Sequence, residues 1–301
     1  MFCAIWRKTG KYYIFYKTLC KSMRIPVENH KETWYNTMYG CMIQPVRKKG
    51  RRCAVGQVLV ITSGKGGTGK TTLCAGLASC LAAMEQKVLA IDCDIGLSNL
   101  DISLGLTDRA TVSFLDVMME NHALSDAPEH PVIRGLQLLT APTRTRAGLV
   151  DDVIFGRLIE EAASDYDWVL LDAPAGIGYG FELATMYAQR AILVATADPG
   201  SLRDAQHTAA ILADKGIDPL HLVVNRVTRR LLGSVRASVD DMMDQVGLPL
   251  LGLIPEDQAV PSSAAQGSAL VLKSRKGAAM ACLHIARRLM GLEAPLMRVR
   301  Y

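Results

Sequence analysis

From Gln57 onward, short apolar runs alternate with longer stretches in which apolar residues recur at helical spacing. The short runs are rich in Val, Ile and Leu, and each predicts a buried strand. Strands are predicted at 57–62, 87–92, 136–140, 167–172, 190–196, 220–225 and 249–254. Helices are predicted at 70–84, 150–163, 178–188, 200–215, 234–246 and 275–290.

This alternation predicts an α/β fold, namely a doubly wound and mostly parallel sheet with helices on both faces. No internal repeat, low-complexity tract or Pro/Gly/Ser-rich linker divides residues 57–301, so we expect one domain there. The active groups of such a sheet gather outside the carboxyl ends of its strands. Candidate functional residues are therefore expected directly after the strands.

Residues 1–56 differ from the rest of the chain in both charge and pattern. They carry twelve Lys and Arg against two Glu, whereas the remaining 245 residues carry 22 basic and 27 acidic side chains. They show no sustained period of 2 or 3.6, so no fold is predicted for them. Three interpretations are open: a basic arm for nucleic acid or membrane, a disordered leader, and upstream sequence foreign to the natural protein. We favour the third, because Val55 and Gly56 lead straight into the first strand.

Composition excludes several classes of protein. The 301 residues are 50% hydrophobic and 21% charged, which is enough apolar material for a large core. No apolar run approaches the roughly 18 residues of a transmembrane helix, and basic residues interrupt the region of a signal peptide, so a cytoplasmic protein is expected. The eight cysteines form no C-x-x-C pair and the six histidines are scattered, so no zinc, iron–sulfur or redox site is predicted.

The most informative motif is a glycine-rich run between the first strand and the first long helix. It reads Ser63-Gly64-Lys65-Gly66-Gly67-Thr68-Gly69-Lys70-Thr71-Thr72. Its glycines let backbone N–H groups turn toward phosphate oxygens, Lys70 neutralises those oxygens, and the Thr71 hydroxyl can ligate Mg²⁺. The helix dipole favours an anion at the same place. Lys65 is an extra charge, placed where its side chain can point away from its own nucleotide.

Two further strands end in carboxylates. Asp92 and Asp94 follow the strand at 87–92, and Asp172 ends the strand at 167–172. Such acids hold Mg²⁺ through water and position an attacking water in phosphoryl transfer. Capping of a turn is the alternative interpretation of the first two. Gly176 follows Asp172 closely and offers an N–H that can sense a γ-phosphate.

No complete motif for recognition of the base is present in the sequence. A guanine site would show an Asn-Lys-x-Asp motif, and the nearest candidate is Asn225-Arg226-Val227-Thr228, which lacks the final Asp. Guanine is therefore disfavoured.

Together these residues resemble the deviant-Walker ATPases, and within them the MinD group of cell-division site-selection proteins. The resemblance covers nearly all of 57–290. Its motifs are the signature-lysine P-loop Gly64–Thr72, a switch I stretch Asp92-Cys93-Asp94-Ile95-Gly96-Leu97-Ser98-Asn99-Leu100-Asp101, and a switch II stretch Asp172-Ala173-Pro174-Ala175-Gly176-Ile177. The runs Leu202–Ala205 and Ile254–Gln258 also fall where the group has similar sequences.

The resemblance implies an ATPase that uses ATP and Mg²⁺. Thr71 would ligate the metal with water-mediated help from Asp92 and Asp172, and Asp94 would position the attacking water. The phosphates would lie on the loop residues Gly64, Lys65, Gly66, Gly67, Thr68, Gly69, Lys70, Thr71 and Thr72. Asn225, Pro255 and Glu256 would frame the adenine.

The resemblance also implies partners. Two copies would close face to face over two ATP molecules, with Lys65 of each reaching the phosphates of the other. Turnover would be slow until a protein activator stimulates it. The mildly acidic body makes a nucleic-acid partner unexpected.

Two departures from the group's pattern affect these expectations. The position after Ile177, commonly Glu in the group, is Gly178, which is expected to alter contact with a partner protein. Chains of the group usually end in a basic amphipathic helix that binds membrane once dimerisation doubles its avidity. Here Pro295 interrupts any helix in the last residues, and too few residues follow it to bury an apolar face. The apolar pattern from Ala278 to Met290 is expected to face the core rather than a membrane. Membrane binding, at the inner face of the cell membrane, is the weakest of the implied properties.

Other functions of the same superfamily stay open. A flagellar number and placement ATPase has nearly the same switch I, but usually carries a Gln-rich helix before the P-loop. A partitioning ATPase would need a basic DNA-binding face, and an iron–sulfur scaffold would need paired cysteines. A nucleotide-dependent scaffold that barely hydrolyses ATP is the alternative from a different functional class.

Overall fold

The computed structural model of the protein describes residues 55–142, 150–228 and 239–297. The expectations for the basic segment 1–56 therefore lie almost wholly outside the described residues. The same holds for the first residues of the helix predicted at 234–246.

In the described residues, seven strands form one sheet. They are β1 Gln57–Thr62, β2 Val88–Asp92, β3 Leu136–Leu139, β4 Trp168–Asp172, β5 Arg190–Thr196, β6 Leu220–Val227 and β7 Leu250–Pro255. Their spatial order is β3-β2-β4-β1-β5-β6-β7, and every neighbouring pair is parallel. The predicted strands are confirmed to within two residues at either end, and this sheet is parallel throughout rather than mostly so.

Helices connect these parallel strands. They are α1 Lys70–Ala83, α2 Leu100–Leu104, α3 Phe114–Met118, α4 Asp152–Asp165, α5 Tyr179–Met186, α6 Pro199–Asp214, α7 Val239–Val246, α8 Ala259–Ala265, α9 Leu270–Lys273 and α10 Gly277–Leu289. The long predicted helices are confirmed. The short helices α2, α3, α8 and α9 were not predicted, because four to seven residues are too few to display a helical period.

Both faces of the sheet are covered, which is why its strands read as continuous apolar runs. Every residue of β2 and of β4 is buried. Along β1, Val58 and Val60 pack in one core cluster with Phe155 of α4. The alternating residues Leu59 and Ile61 are equally buried and point to the opposite face.

Helix α10 is a core helix, as its pattern predicts. It packs against α1 and β7, and eight of its residues are buried. The residues after it, 291–297, are not helical. Arg288 joins these residues to β7. Its Nη2 donates to the Ala294 carbonyl at 2.9 Å, and its Nη1 donates to the Leu251 carbonyl of β7 at 2.6 Å. Across the described ranges, no helix combines the length and apolar character required to cross a membrane.

A buried histidine fastens α2 to the loop that precedes β3. His130 is 4% exposed, and its Nδ1 accepts the N–H groups of Val132 at 3.1 Å and Ile133 at 3.0 Å. Nε2 must then carry the proton, which it donates to the Leu104 carbonyl at 3.1 Å. Burial lowers the pKa of His130, and the nearby charge of Arg109 lowers it further. The folded protein therefore holds this ring neutral.

The stability of the protein is expected to fall as the pH falls below about 6.5, the ordinary pKa of histidine in an unfolded chain. Because the folded-state pKa of His130 is depressed, the unfolded chain takes up the proton first. The contribution of neutral His130 to the free energy of unfolding is fully present above about pH 6.5, and it is lost as the pH falls toward the folded-state pKa. Thermal unfolding at pH 7.5 and 5.5 checks this, with His130→Gln as the control. An equal loss of Tm on acidification in both proteins would contradict it.

Candidate functional site

The loops that carry the predicted site follow three adjacent strands, in the order β2, β4, β1. Asp172 of β4 lies in register with Asp92 of β2 and with Ile61 of β1. Because the strands are parallel, their carboxyl ends meet at one edge of the sheet. The P-loop, switch I and switch II are thus brought together.

The P-loop presents an uncapped helix end. α1 begins at Lys70, its N-cap Gly69 makes no side-chain capping bond, and no acidic residue lies in its first turn. The first N–H groups of a helix have no intrahelical partner, and the helix dipole places partial positive charge there. Thr71 and Thr72 lie in this first turn. The local sequence therefore leaves an anion site where a cap would ordinarily be found.

Asn225 supports the loop from the side of β6. Its Nδ2 donates to the Thr68 carbonyl at 2.7 Å, and its Oδ1 accepts the N–H of Arg226 at 2.8 Å. Gly69 has φ of 95°, and a Cβ built there would lie 2.1 Å from Asn225 Nδ2. The resemblance assigns Asn225 to adenine; in the structure its amide also fixes the P-loop backbone.

Replacing Gly69 by Ala is expected to weaken ATP binding at least ten-fold, because the new methyl group must displace Asn225 and the left-handed backbone is strained as well. Gly216→Ala is the matched control, since Gly216 has φ of 76° with nothing within 4 Å of its Cβ position. Titration with a fluorescent ATP analogue measures both affinities. Equal affinities in the two variants would show that the contact with Asn225 does not shape the site.

Gly64 shows why the loop begins with glycine. A Cβ there would lie 2.4 Å from the carbonyl oxygen of Asp204, in α6. Ser63 closes the turn by donating from Oγ to the Lys65 carbonyl at 2.6 Å. These contacts draw the loop backbone tightly against α6.

The predicted carboxylates gather around the buried Lys70, which is 8% exposed. Burial lowers the pKa of Lys70, while the charges of Asp172 and Asp94 oppose that effect. Burial and the neighbouring Asp92 raise the pKa of Asp94. Burial, followed by the charge of Asp92, raises the pKa of Asp172 to about 8, although bonding to the Thr71 hydroxyl opposes the shift. Asp172 and Asp94 thus share one buried cation, with the carboxylate of Asp92 close to both acids, so the site has room for further positive charge.

Asp92 is fully buried, and its carboxylate accepts four hydrogen bonds from switch I. The donors are the N–H of Asp94, the Ser98 hydroxyl and the N–H groups of Asn99 and Leu100. Burial raises the pKa of Asp92, and these hydrogen bonds oppose the shift. Asp92 therefore shapes the loop that carries Asp94.

Switch II lies directly beside the P-loop. A Cβ on Gly66 would be 3.8 Å from the Ala175 Cβ, and Gly176 has φ of 82°. Two large apolar side chains are exposed on the switches, Leu97 at 70% and Ile177 at 50%.

Lys65 lies at the surface of the P-loop, in contrast with the buried Lys70. Its Nζ lies 3.6 Å from Asp198 Oδ1, and both side chains are about half exposed. Asp198 also caps α6 by accepting the N–H of Ser201 at 3.0 Å, and the Thr196 hydroxyl lowers its pKa. Sequence reasoning missed Asp198 as a partner of Lys65, although an Asp-Pro pair before a helix is a recognisable N-cap signal.

The segment assigned to adenine lies at the ends of β6 and β7. Val227 pairs with Pro255, and the Arg226 Nε lies 3.1 Å from Glu256 Oε2. Arg226 has φ of 57°, a left-handed conformation that is uncommon outside glycine and frequent at functional sites. Asn225, Pro255 and Glu256 thus lie at the ends of two adjacent strands, and Asn225 is in addition next to Gly69.

These residues fit a nucleotide with a divalent cation. Three buried side-chain oxygens, Thr62 Oγ1, Thr68 Oγ1 and Asp172 Oδ1, have no hydrogen-bond partner. Buried polar atoms rarely stay unpaired, so ligands are expected to reach them. Within the described residues, no group of three or more His, Cys, Asp or Glu side chains could hold a metal ion alone. Mg²⁺ keeps several waters and binds through few carboxylates together with substrate phosphates, and Thr71 and Asp172 offer a hydroxyl and a carboxylate for such a site.

Comparison with known proteins gives the following matches. The profile of the CobQ/CobB/MinD/ParA nucleotide binding domain matches residues 59–271. The septum site-determining protein MinD of Synechocystis is 34% identical over 244 residues, which cover 80% of this chain and 92% of that protein.

Solved structures give the same result. The MinD of an Aquifex aeolicus MinC:MinD cell division protein complex is similar with a TM-score of 0.74 and 34% identity, covering 81% of this chain and 99% of that chain. The septum site-determining protein MinD of Pyrococcus horikoshii, complexed with Mg-ADP, is similar with a TM-score of 0.70 and 30% identity, covering 78% of this chain and 96% of that chain.

Proposed function

Since the chain belongs to the CobQ/CobB/MinD/ParA nucleotide-binding family, and within it to the MinD septum site-determining proteins, we propose that it is an ATPase that selects the division site. Its ATP-bound dimer and ADP-bound monomer are the two signalling states. The observation that carries this proposal is Lys65, a P-loop lysine whose side chain is 53% exposed, whereas Lys70 is 8% exposed. A lysine that reaches solvent from the P-loop can contact the phosphates bound to a second copy of the chain.

Each part of the site has a task in this function. Lys70 and the N–H groups at the start of α1 hold the phosphates. Thr71 would hold Mg²⁺, with Asp92 and Asp172 acting through water; when bound, the ion would neutralise phosphate charge. A relative is complexed with Mg-ADP, which supports binding of a nucleotide together with Mg²⁺ at this site. Asn225, Pro255 and Glu256 frame the adenine.

Hydrolysis requires residues from two copies. Asp94 orients the attacking water, and Gly176 contacts the γ-phosphate through its N–H. Lys65 of the second copy places its positive charge where negative charge develops in the transition state. A charge that is already in position stabilises the transition state strongly. Formation of the dimer therefore completes the active site, and switch II relaxes when the phosphate departs.

Asp198→Asn is expected to raise the dimer fraction in ATP, because Asp198 of the same copy competes for Lys65. A surface ion pair contributes about 1 kcal/mol at most, and two such pairs open when the dimer forms, one in each copy, so the shift in dimerisation constant is at most about thirty-fold. Glu182→Gln is the control, since it breaks a comparable surface ion pair, with Lys215, away from the P-loop. Analytical ultracentrifugation in ATP measures the dimer fraction of each variant. A lower dimer fraction in Asp198→Asn would contradict the competition.

A protein effector is the expected partner, since a similar MinD forms a complex with MinC. We propose that the effector binds the ATP-bound dimer and not the ADP-bound monomer. We also propose that the protein acts in the cytoplasm and at the inner face of the cell membrane. Co-sedimentation with anionic liposomes in ATP and in ADP tests the membrane part. Binding that appears in ATP alone supports it, and no binding in either nucleotide contradicts it.

Deletion of the gene in its native host tests the function itself. Misplaced septa with normal flagellar number are expected. The wild-type gene should restore septum placement, whereas a gene encoding Asp94→Ala should not, because that protein stays in one state of the switch. Normal septa with altered flagellar number would contradict division-site selection and favour the flagellar alternative.

A further inference from the structure

The conformation of switch I depends on a single carboxylate whose two oxygens have different tasks. Asp92 Oδ1 accepts the N–H of Asp94 at 2.9 Å. Asp92 Oδ2 accepts the Ser98 hydroxyl at 2.9 Å and the N–H groups of Asn99 at 3.0 Å and Leu100 at 3.1 Å. Oδ2 therefore closes the far end of switch I, while Oδ1 holds the residue that carries the proposed water-positioning carboxylate.

The side chain of Ser98 differs from the other donors in one respect. Three of the four donors to Asp92 belong to the backbone, and their directions are set by the course of the chain. Ser98 is the side-chain donor among them, and its hydroxyl can rotate toward the carboxylate or away from it. Hydrogen bonds to an ionised group are the strong ones in a buried setting. Ser98 is thus the donor to Asp92 that a substitution can remove without changing the course of the backbone.

The orientation of Asp92 bears on the chemistry because Asp92 lies between two parts of the site. It is in register with Asp172 on the neighbouring strand, and its Oδ1 holds the backbone of Asp94. A carboxylate that turns about its side-chain bonds moves its acceptor oxygens by an ångström or so. Misplacement of about 1 Å in an active site can cost on the order of 100-fold in rate.

We propose that Ser98 is a positioning residue for ATP hydrolysis: its hydroxyl orients Asp92, and Asp92 in turn holds the backbone at Asp94 so that the Asp94 carboxylate meets the attacking water. The inference rests on the proposed function, since it concerns the same reaction. It assigns Ser98 no contact with ATP. Loss of the Ser98 hydroxyl should therefore slow turnover without weakening nucleotide binding.

Steady-state ATP hydrolysis by the full chain provides the first test. Ser98→Ala is expected to lower kcat about ten-fold with KM within two-fold of wild type, and Ser98→Thr, which keeps the hydroxyl, is expected to restore kcat. Ser79→Ala is the matched control because it deletes a buried hydroxyl, bonded to the Ala75 carbonyl at 2.7 Å, outside the site. It should leave both constants unchanged.

Hydrogen exchange provides a second readout that does not depend on hydrolysis. In the nucleotide-free protein, Ser98→Ala should speed exchange of the Asp94, Asn99 and Leu100 amides by several-fold, as followed by mass spectrometry of the switch I peptide. Asn99→Ala is the comparison within the loop, since it removes a different side-chain bond, from Nδ2 to the Leu97 carbonyl at 2.7 Å. That variant should disturb the same three amides less.

The outcomes distinguish failure of the proposed ATPase function from failure of the role assigned to Ser98. A wild-type protein that does not hydrolyse ATP would contradict the proposed function, and the exchange measurement would still decide whether Ser98 holds switch I. Wild-type turnover in Ser98→Ala, or unchanged exchange, would overturn the role of Ser98 alone. An equal loss of kcat in Asn99→Ala would mean that general loosening of the loop is responsible, which also overturns it.

Discussion

Asp94→Ala is expected to lower ATP turnover by at least about a hundred-fold while leaving ATP affinity within two-fold of wild type. A positioned carboxylate that orients or deprotonates the nucleophile commonly contributes between about a hundred- and ten-thousand-fold. Phosphate binding relies instead on Lys70 and the N–H groups of α1, which this change leaves in place. A phosphate-release assay measures turnover, and titration with a fluorescent ATP analogue measures affinity.

Two further variants sharpen that result. Asp94→Asn keeps the shape and removes the charge, so it should be nearly as slow as Asp94→Ala. Asp108→Ala removes an exposed Asp outside the site and should turn over at the wild-type rate. The role of Asp94 would be wrong if turnover and affinity fell together, because the residue would then act in binding.

Lys65→Ala is expected to abolish both ATP-dependent dimerisation and turnover, while the monomer still binds ATP. The reason is the contrast in exposure between the two lysines: Lys70 is 8% exposed beside the carboxylates, whereas the Lys65 side chain is 53% exposed. Analytical ultracentrifugation in ATP measures the dimer. Lys273→Ala, which removes an exposed lysine at the end of α9, is the control and should dimerise normally.

Mixing two inactive variants tests whether Lys65 acts across the dimer. In a heterodimer of Lys65→Ala with Asp94→Ala, the first copy keeps Asp94 and can receive Lys65 from the second. One complete site per heterodimer should then restore turnover in the mixture, although each variant alone is inactive. No recovery, despite a heterodimer detected by mass, would mean that Lys65 acts within its own copy.

The sheet could be predicted from the sequence because its strands are buried on both faces. A strand such as Val169-Leu170-Leu171 reads as a continuous apolar run, and strand and helix alternate with clear boundaries. The short helix α2 could not be predicted in this way. It depends on Asp92, eight residues earlier than Leu100, whose carboxylate receives the Leu100 N–H. Such a tertiary bond leaves no periodic signal in the sequence.

The sequence could indicate which residues belong to the candidate site, but not which of them contact one another. The spacing of Gly64, Gly69 and Lys70 identifies the P-loop, because few sequences meet its backbone requirements. The contact of Asn225 with the Thr68 carbonyl joins residues 157 positions apart, and nothing local in the sequence indicates it. Pairing of Lys65 with Asp198 likewise depends on the adjacency of β1 and β5.

The central claim is that ATP, and not ADP, joins two copies of the chain. The most direct measurement is the molar mass of the Asp94→Ala protein by light scattering after size-exclusion chromatography, in ATP with Mg²⁺ and in ADP with Mg²⁺. This variant is expected to hold ATP without consuming it, so the ATP state persists through the measurement. The account predicts twice the monomer mass in ATP and the monomer mass in ADP. The same mass in both nucleotides, with ATP shown to be bound, would contradict it.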